Sequence, residues 1–153
     1  MSAYFVDSSG LVKRYAEETG SDWVDSIIDS PVGNFIYVVS ITEVEVSSAI
    51  ARRLREGSID QTDAANAFDM IFEDFANYFR VADATSALIE RATVLVKKYT
   101  LRAYDAVQLA AALEVNERFM AANQSITLIS ADMALNNAAR AEGLLVEDPN
   151  LHP

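Results

Sequence analysis

Short apolar runs set apart by helical patterns constrain this chain more than any other feature. Tyr4-Phe5-Val6, Phe35 to Val39, Ile126 to Ile129 and Leu144 to Val146 have the length and composition of buried strands, and Arg80-Val81-Ala82 is a weaker fifth. Between them apolar residues recur at helical spacing. Leu11, Val12 and Tyr15 mark one helix, and Trp23, Val24, Ile27 and Ile28 mark another that starts at Ser21. Ser40-Ile41-Thr42-Glu43 reads as a capping box opening a helix to about Arg55, and Ile59 to Tyr78 reads as one long helix. Helices follow over Thr85 to Tyr99, about Tyr104 to Phe119, and Ala131 to Ala141, the last stopped by Gly143. Parallel neighbours need crossover helices and bury both faces of their sheet. The alternation therefore predicts an α/β domain around a parallel sheet of about five strands. Residues 1–147 form a single domain in this reading, and 148–153 a polar tail holding the lone histidine, His152, in solvent.

Composition narrows the function. A chain of 153 residues, 51% of them hydrophobic, buries enough surface to hold a core without disulfides, since about 150 residues remove roughly 68–70% of the unfolded surface from water. The absence of cysteine excludes thiol catalysis and thiolate zinc sites. The first residues, MSAYFVDSSG, lack the basic start and apolar run of a signal peptide, and no uncharged stretch approaches the roughly 20 residues that cross a bilayer, so a cytoplasmic location is expected. The net charge of −11 is the difficulty, because it argues against a polyanionic partner.

Four acids stand where a parallel sheet gathers its ligands, beyond the carboxyl ends of the strands. Asp7 ends the first strand, and Asp132 follows the Ile126–Ile129 strand. Glu45 shares a helix face with Ile41 and Ala49, and Asp105 one with Leu109 and Ala112, so both interrupt stripes that otherwise face a core. Each has a plainer reading. Asp7 before Ser8-Ser9-Gly10 suits a turn, Asp105 and Asp132 suit helix N-caps, and Glu45 suits a surface position. Together, however, four carboxylates at one end of a sheet repel one another unless cations neutralise them. An all-oxygen set without His or Cys suits Mg²⁺ or Mn²⁺. With His152 remote, acid–base chemistry by histidine and zinc hydrolysis drop out, leaving hydrolysis of a phosphodiester by water that a divalent ion activates.

The segments carrying these acids are YFVDSSGLVKRY at 4–15, TEVEVSSAIARR at 42–53, LRAYDAVQLA at 101–110 and SADMAL at 130–135. In order and spacing they resemble the four acidic motifs of PIN-domain nucleases, and most nearly the VapC-type toxin ribonucleases of toxin–antitoxin pairs, from Tyr4 to about Val146. The resemblance implies a three-layer α/β/α fold and Mg²⁺- or Mn²⁺-dependent endonucleolytic cleavage of RNA, leaving 5′-phosphate and 3′-hydroxyl ends. It places catalytic and metal-binding roles on Asp7, Glu45, Asp105 and Asp132. The Thr three residues before the second acid selects Glu45 over Glu43, to which the capping box gives a structural role. Ser130 matches a hydroxyl position beside the last acid, and Ser130, Arg14 and Arg52 are candidates for positioning substrate. The resemblance further implies a homodimer silenced by a VapB-type antitoxin. The apolar stretch 64–75, with Phe68, Ile71, Phe72 and Phe75, is a candidate for core, dimer contact or antitoxin groove.

Two rival readings remain at this stage. One is a PIN-like regulatory or binding module without turnover. The other is a different Mg²⁺ enzyme on an α/β sheet, disfavoured by Ser9 where a phosphoaspartyl enzyme carries a second Asp, and by the lack of a Gly-rich loop ending in Gly-Lys-Ser/Thr. The charge objection weakens once charges are placed. Segment 56–79 carries six acids and no base, whereas Lys13, Arg14, Arg52, Arg53, Arg55, Lys97, Lys98 and Arg102 flank the acidic motifs. A basic rim able to position phosphates on one face follows, with RNA binding weak in the absence of divalent metal.

Overall fold

The computed structural model describes residues 1–153. Five strands, β1 (Ala3–Val6), β2 (Phe35–Val39), β3 (Arg80–Ala82), β4 (Thr127–Ile129) and β5 (Leu145–Glu147), form one sheet in the order β3-β2-β1-β4-β5, with every pairing parallel. The five short runs all become strands, including the weak one at 80–82. Seven helices connect or flank them: α1 (Ser8–Tyr15), α2 (Ser21–Ile28), α3 (Ile41–Glu56), α4 (Gln61–Glu73), α5 (Ser86–Tyr99), α6 (Ala103–Met120) and α7 (Met133–Ala141).

Alternation along each strand sends successive side chains to opposite faces and so builds two cores. Phe5, Val39 and Leu128 pack with Leu88 and Leu95 of α5, Leu109 and Leu113 of α6 and Leu135 of α7. Val6, Ile36, Val38 and Ile129 pack with Leu11 of α1, Val46 and Ile50 of α3 and Ala64, Ala67 and Ile71 of α4. The result is three layers, α/β/α. Strand order reverses between β1 and β4, and there the amide of Asp7 donates to the Ile129 carbonyl at 3.1 Å. Gly10 allows α1 to lie against that junction, since a Cβ at this position would stand 2.9 Å from the Ile129 oxygen.

Two local expectations are corrected. Ser40 does not cap α3: its backbone is itself helical, and its hydroxyl accepts from the Ala84 amide at 3.2 Å, tying β2 to the loop after β3. The capping box that does form is Asp60 with Asp63, at the start of α4. The long helix over 59–78 is α4 followed by a π-helical turn, Asp74–Tyr78. The wider turn moves the inward position from Tyr78, which is exposed, to Phe79, which is buried, while Asp74, three residues after Ile71, already stands on the inward face. The 64–75 stretch accordingly divides, with Ala64, Ala67, Ile71 and Phe75 in the core and Phe68 and Phe72 facing outward.

His152 is not loose in solvent. Pro149–Leu151 form a 3₁₀ turn, and the His152 ring stacks on Trp23 at 4.1 Å and 4° while Nε2 lies 3.0 Å from Glu147. Gly20, at φ +89°, makes room for this segment, because a side chain there would run into the Pro149 carbonyl. No helix is long and apolar enough to cross a membrane.

Candidate active site

A cleft of about 570 Å³ opens at the carboxyl ends of β1 and β4, and Asp7, Glu45, Asp105 and Asp132 all line it. The fold brings them there from four elements. Asp7 is the N-cap of α1, Glu45 lies in the second turn of α3, Asp105 in the first turn of α6, and Asp132 is the N-cap of α7. The turn and cap readings of Asp7 and Asp132 are therefore correct as local descriptions, and both residues line the cleft as well. Asp105 lies inside its helix and caps nothing. Glu43 is exposed and outside the cleft, so Glu45 is the acid brought to the site even though the capping box used to separate the two does not form.

Asp7 is 1% exposed. Its Oδ1 accepts from the Gly10 amide and the Ser9 hydroxyl, each at 2.8 Å, and its Oδ2 accepts from the Ser130 hydroxyl at 3.0 Å. Burial pushes its carboxyl up to about 7 against the pull of these bonds, and Asp105 nearby pushes the same way. Glu45 accepts from Gln108 Nε2 at 2.8 Å and from the Ser8 hydroxyl at 3.1 Å. Burial raises its pKa too, with Asp105 adding to the effect. Asp105 is raised by burial and then by the charge of Asp132, against the pull of Arg102. The exposed Arg102 side chain spans the mouth, donating to Asp105 at 3.3 Å and to Asp132 at 3.2 Å.

The candidate positioning residues fare differently. Arg52 lies on the cleft wall beside Arg53. Ser130 is fully buried, so its hydroxyl serves Asp7 and the Asp132 amide rather than a ligand. Arg14 is not at the site: it points from α1 toward α2 and the π turn, where Nε donates to Asp74 at 2.7 Å and Nη1 reaches Asp25 and Asp29. A helix of eight residues offers every azimuth, and Lys13, not Arg14, faces the cleft. Lys13 is itself held by the Thr19 carbonyl at 2.7 Å and Asn150 at 2.9 Å.

Sequence reasoning missed Gln108, Ser8 and Ser9 as site residues and counted Arg102 only among flanking bases. Spacing carried the signal for two of them, because Arg102 and Gln108 lie three residues before and after Asp105 and so share its side of α6. Gln108 is fully buried and also donates to Thr42 at 2.8 Å, which fixes the amide that orients Glu45. Gln108→Leu should weaken divalent-ion affinity about 10–100-fold, the usual effect of removing a partner that orients a ligating group. Isothermal titration with Mn²⁺ checks this, and unchanged affinity would show that Glu45 needs no such support.

No three acidic side chains converge on one ion-holding point as they stand, and Arg102 bridges two of them. The chemistry of the set fits a divalent ion nonetheless: every donor is an oxygen, and Asp105 and Asp132 raise the pKa of their neighbours, the repulsion that a hard cation relieves.

Fold and cleft together define a class, a three-layer parallel α/β domain with an acidic cluster at its topological switch point. The chain belongs to the PIN domain family, whose pattern matches residues 4–141. It is 28% identical over 153 residues to Ribonuclease VapC45 of Mycobacterium tuberculosis, covering 100% of both chains. Among solved structures it is similar to PAE2754 from Pyrobaculum aerophilum, with TM-score 0.61, 17% identity and coverage of 95% of this chain and 89% of that one. It also resembles VapBC2 from Rickettsia felis bound to a promoter DNA fragment, with TM-score 0.61, 12% identity and coverage of 95% and 98%.

Proposed function

We propose that this protein is a divalent-metal-dependent endoribonuclease and the toxin of a toxin–antitoxin pair. The observation that carries this is the meeting of Asp7, Glu45, Asp105 and Asp132 in one cleft whose walls also hold Lys13, Arg52, Arg53 and Arg102. The name of the ribonuclease relative and the family's fold support it.

Asp7 and Asp105 would hold Mg²⁺ or Mn²⁺, with Glu45 and Asp132 completing the pocket. The ion supplies water activation and charge neutralisation at the phosphate. The chain's own groups do the rest. Ser9, Ser130 and the Gly10 amide keep the Asp7 carboxylate in one orientation. Gln108 and Ser8 do the same for Glu45. Arg52 and Arg53 attract the flanking phosphates and so set the strand across the cleft. Arg102 pairs with Asp105 and Asp132, and its exposure leaves it free to swing out.

The partners proposed are an RNA substrate, a VapB-type antitoxin and a second copy of the chain in a homodimer, all in the cytoplasm. The structure of VapBC2 supports an antitoxin by analogy of fold. The deciding experiment uses antitoxin-free protein and unpaired RNA. Cleavage should require Mg²⁺ or Mn²⁺, stop with chelator and return on adding the ion back. Failure to cleave in either metal, with antitoxin binding intact, would instead make the protein a binding module.

A further inference from the structure

We infer that the apolar groove beside the acidic cleft, formed by Ile41, Val44, Ser48 and Tyr104, holds one unpaired nucleobase of the bound RNA, stacked on the Tyr104 ring. This rests on the nuclease reading and specifies how that site grips its strand.

The groove measures about 380 Å³, and Glu45 is its fifth lining residue. It joins the early turns of two helices. Ile41, Val44 and Ser48 stand at i, i+3 and i+7 on one side of α3, and Tyr104 is the second residue of α6. Ile41 is half-buried against the core, whereas Val44 is 72% exposed and Tyr104 62%. Val44 and Tyr104 line the same groove, so their exposed apolar surface is contiguous rather than scattered.

Continuity names the occupant. Glu45, Ser48 and Tyr104 line both the groove and the cleft, so whatever fills the groove touches what fills the cleft. Charge divides the two compartments. Lys13, Arg52, Arg53 and Arg102 line the cleft among Asp7, Glu18, Glu45, Asp105 and Asp132, whose charge a divalent ion would offset on the nuclease reading, while no cation lines the groove. A ligand spanning both therefore carries its anionic part on the cleft side and a flat, uncharged, apolar-faced part on the groove side. A nucleotide has that division, phosphate on one side and base on the other, joined by the sugar. Single-strand sites commonly combine a cationic track with an aromatic platform, because every base presents a π face. Glu45 is turned to Ser8, Gln108 and the proposed ion, and the exposed Ser48 hydroxyl stands where it can hydrogen-bond the edge of the stacked base.

The test measures binding, so it is separate from turnover. Asp7→Asn is placed in every protein to prevent cleavage, and the affinity of a short labelled unpaired RNA is read by fluorescence anisotropy in Mg²⁺. Adding Tyr104→Ala should weaken binding about tenfold, within the range of one stacked base, whereas Tyr104→Phe should stay within about twofold. A sugar–phosphate oligomer without bases should bind all three proteins alike. Tyr104 is exposed, so both variants keep the fold. Equal RNA affinity for the Ala and Phe variants, or a Tyr104→Ala loss that persists on the base-free oligomer, overturns the inference and leaves the groove to a protein partner. Failure of the nuclease reading shows elsewhere, as intact RNA after incubation of the unmodified chain with Mg²⁺ or Mn²⁺.

Discussion

Asp7→Asn should abolish RNA cleavage, by at least about a hundredfold, and at the same time make the protein more stable at alkaline pH. The two effects have one origin. The Asp7 carboxyl is buried at the junction of β1 and β4 and titrates near 7, well above the ordinary 3.8. Because its folded pKa is raised, the stability it contributes is complete below about pH 4 and is lost as pH rises through about 7. A tenfold change in proton affinity corresponds to about 1.4 kcal/mol, so the variant should gain roughly 2–3 kcal/mol more over the parent at pH 8 than at pH 5, in metal-free buffer. Asparagine keeps an acceptor for the Gly10 amide and offers the Ser130 hydroxyl a donor, so the hydrogen bonds adapt. Paired urea unfolding curves at the two pH values check the sign. A difference that does not change with pH would put the Asp7 carboxyl back in the ordinary range. Saturating Mg²⁺ should narrow the gap, because it stabilises only the protein that binds it.

Arg14→Met should destabilise the fold by about 3–5 kcal/mol, the usual effect of removing one partner from a buried ion pair. The Arg14 and Asp74 side chains are 12% and 3% exposed, and Asp74 also accepts from the Tyr15 hydroxyl at 2.8 Å. Removing the guanidinium leaves Asp74 buried with a single remaining side-chain donor, beside Asp25 and Asp29. This cluster joins α1, α2 and the π turn, so its loss loosens the layer that carries Asp7. Unfolding midpoints measure the effect, and cleavage per folded molecule should change little, since Arg14 points away from the cleft. The opposite pattern, stability kept and activity lost, would return Arg14 to contact with RNA.

These two residues mark how far the sequence was legible. Asp7 could be read because a polar residue at the end of a short apolar strand has a definite place in a parallel sheet. Arg14 could not, because one turn of helix holds residues facing every direction, and only the packing of α1 against α2 and the π turn chose between Lys13 and Arg14 for the cleft. The same limit explains the long helix over 59–78. Its apolar spacing is helical throughout, and the π turn at its end begins at Asp74, which meets Arg14 and Tyr15 of α1, contacts no local pattern encodes. Ser40 had capping-box spacing, yet a bond to Ala84 across the sheet used its hydroxyl instead.

By itself the sequence determined the order of strands and helices and the parallel sheet they require, because those follow from local periodicity and from where a strand stops, and its motif resemblance singled out the four acids that the fold brings to one cleft. Tertiary structure alone decided which bases reach the cleft, which amide and hydroxyls orient the acids, that the C-terminal residues stack on Trp23, and that Tyr104 lies open beside Val44. It also set the raised pKa of Asp7, since desolvation and the field of neighbouring carboxylates depend on distances between elements far apart in the chain. Reversal of strand order between β1 and β4 brings Asp7 and Asp132 to one cleft, and Asp105, which raises the pKa of Asp7 and Glu45 and is itself raised by Asp132, couples the four carboxylates.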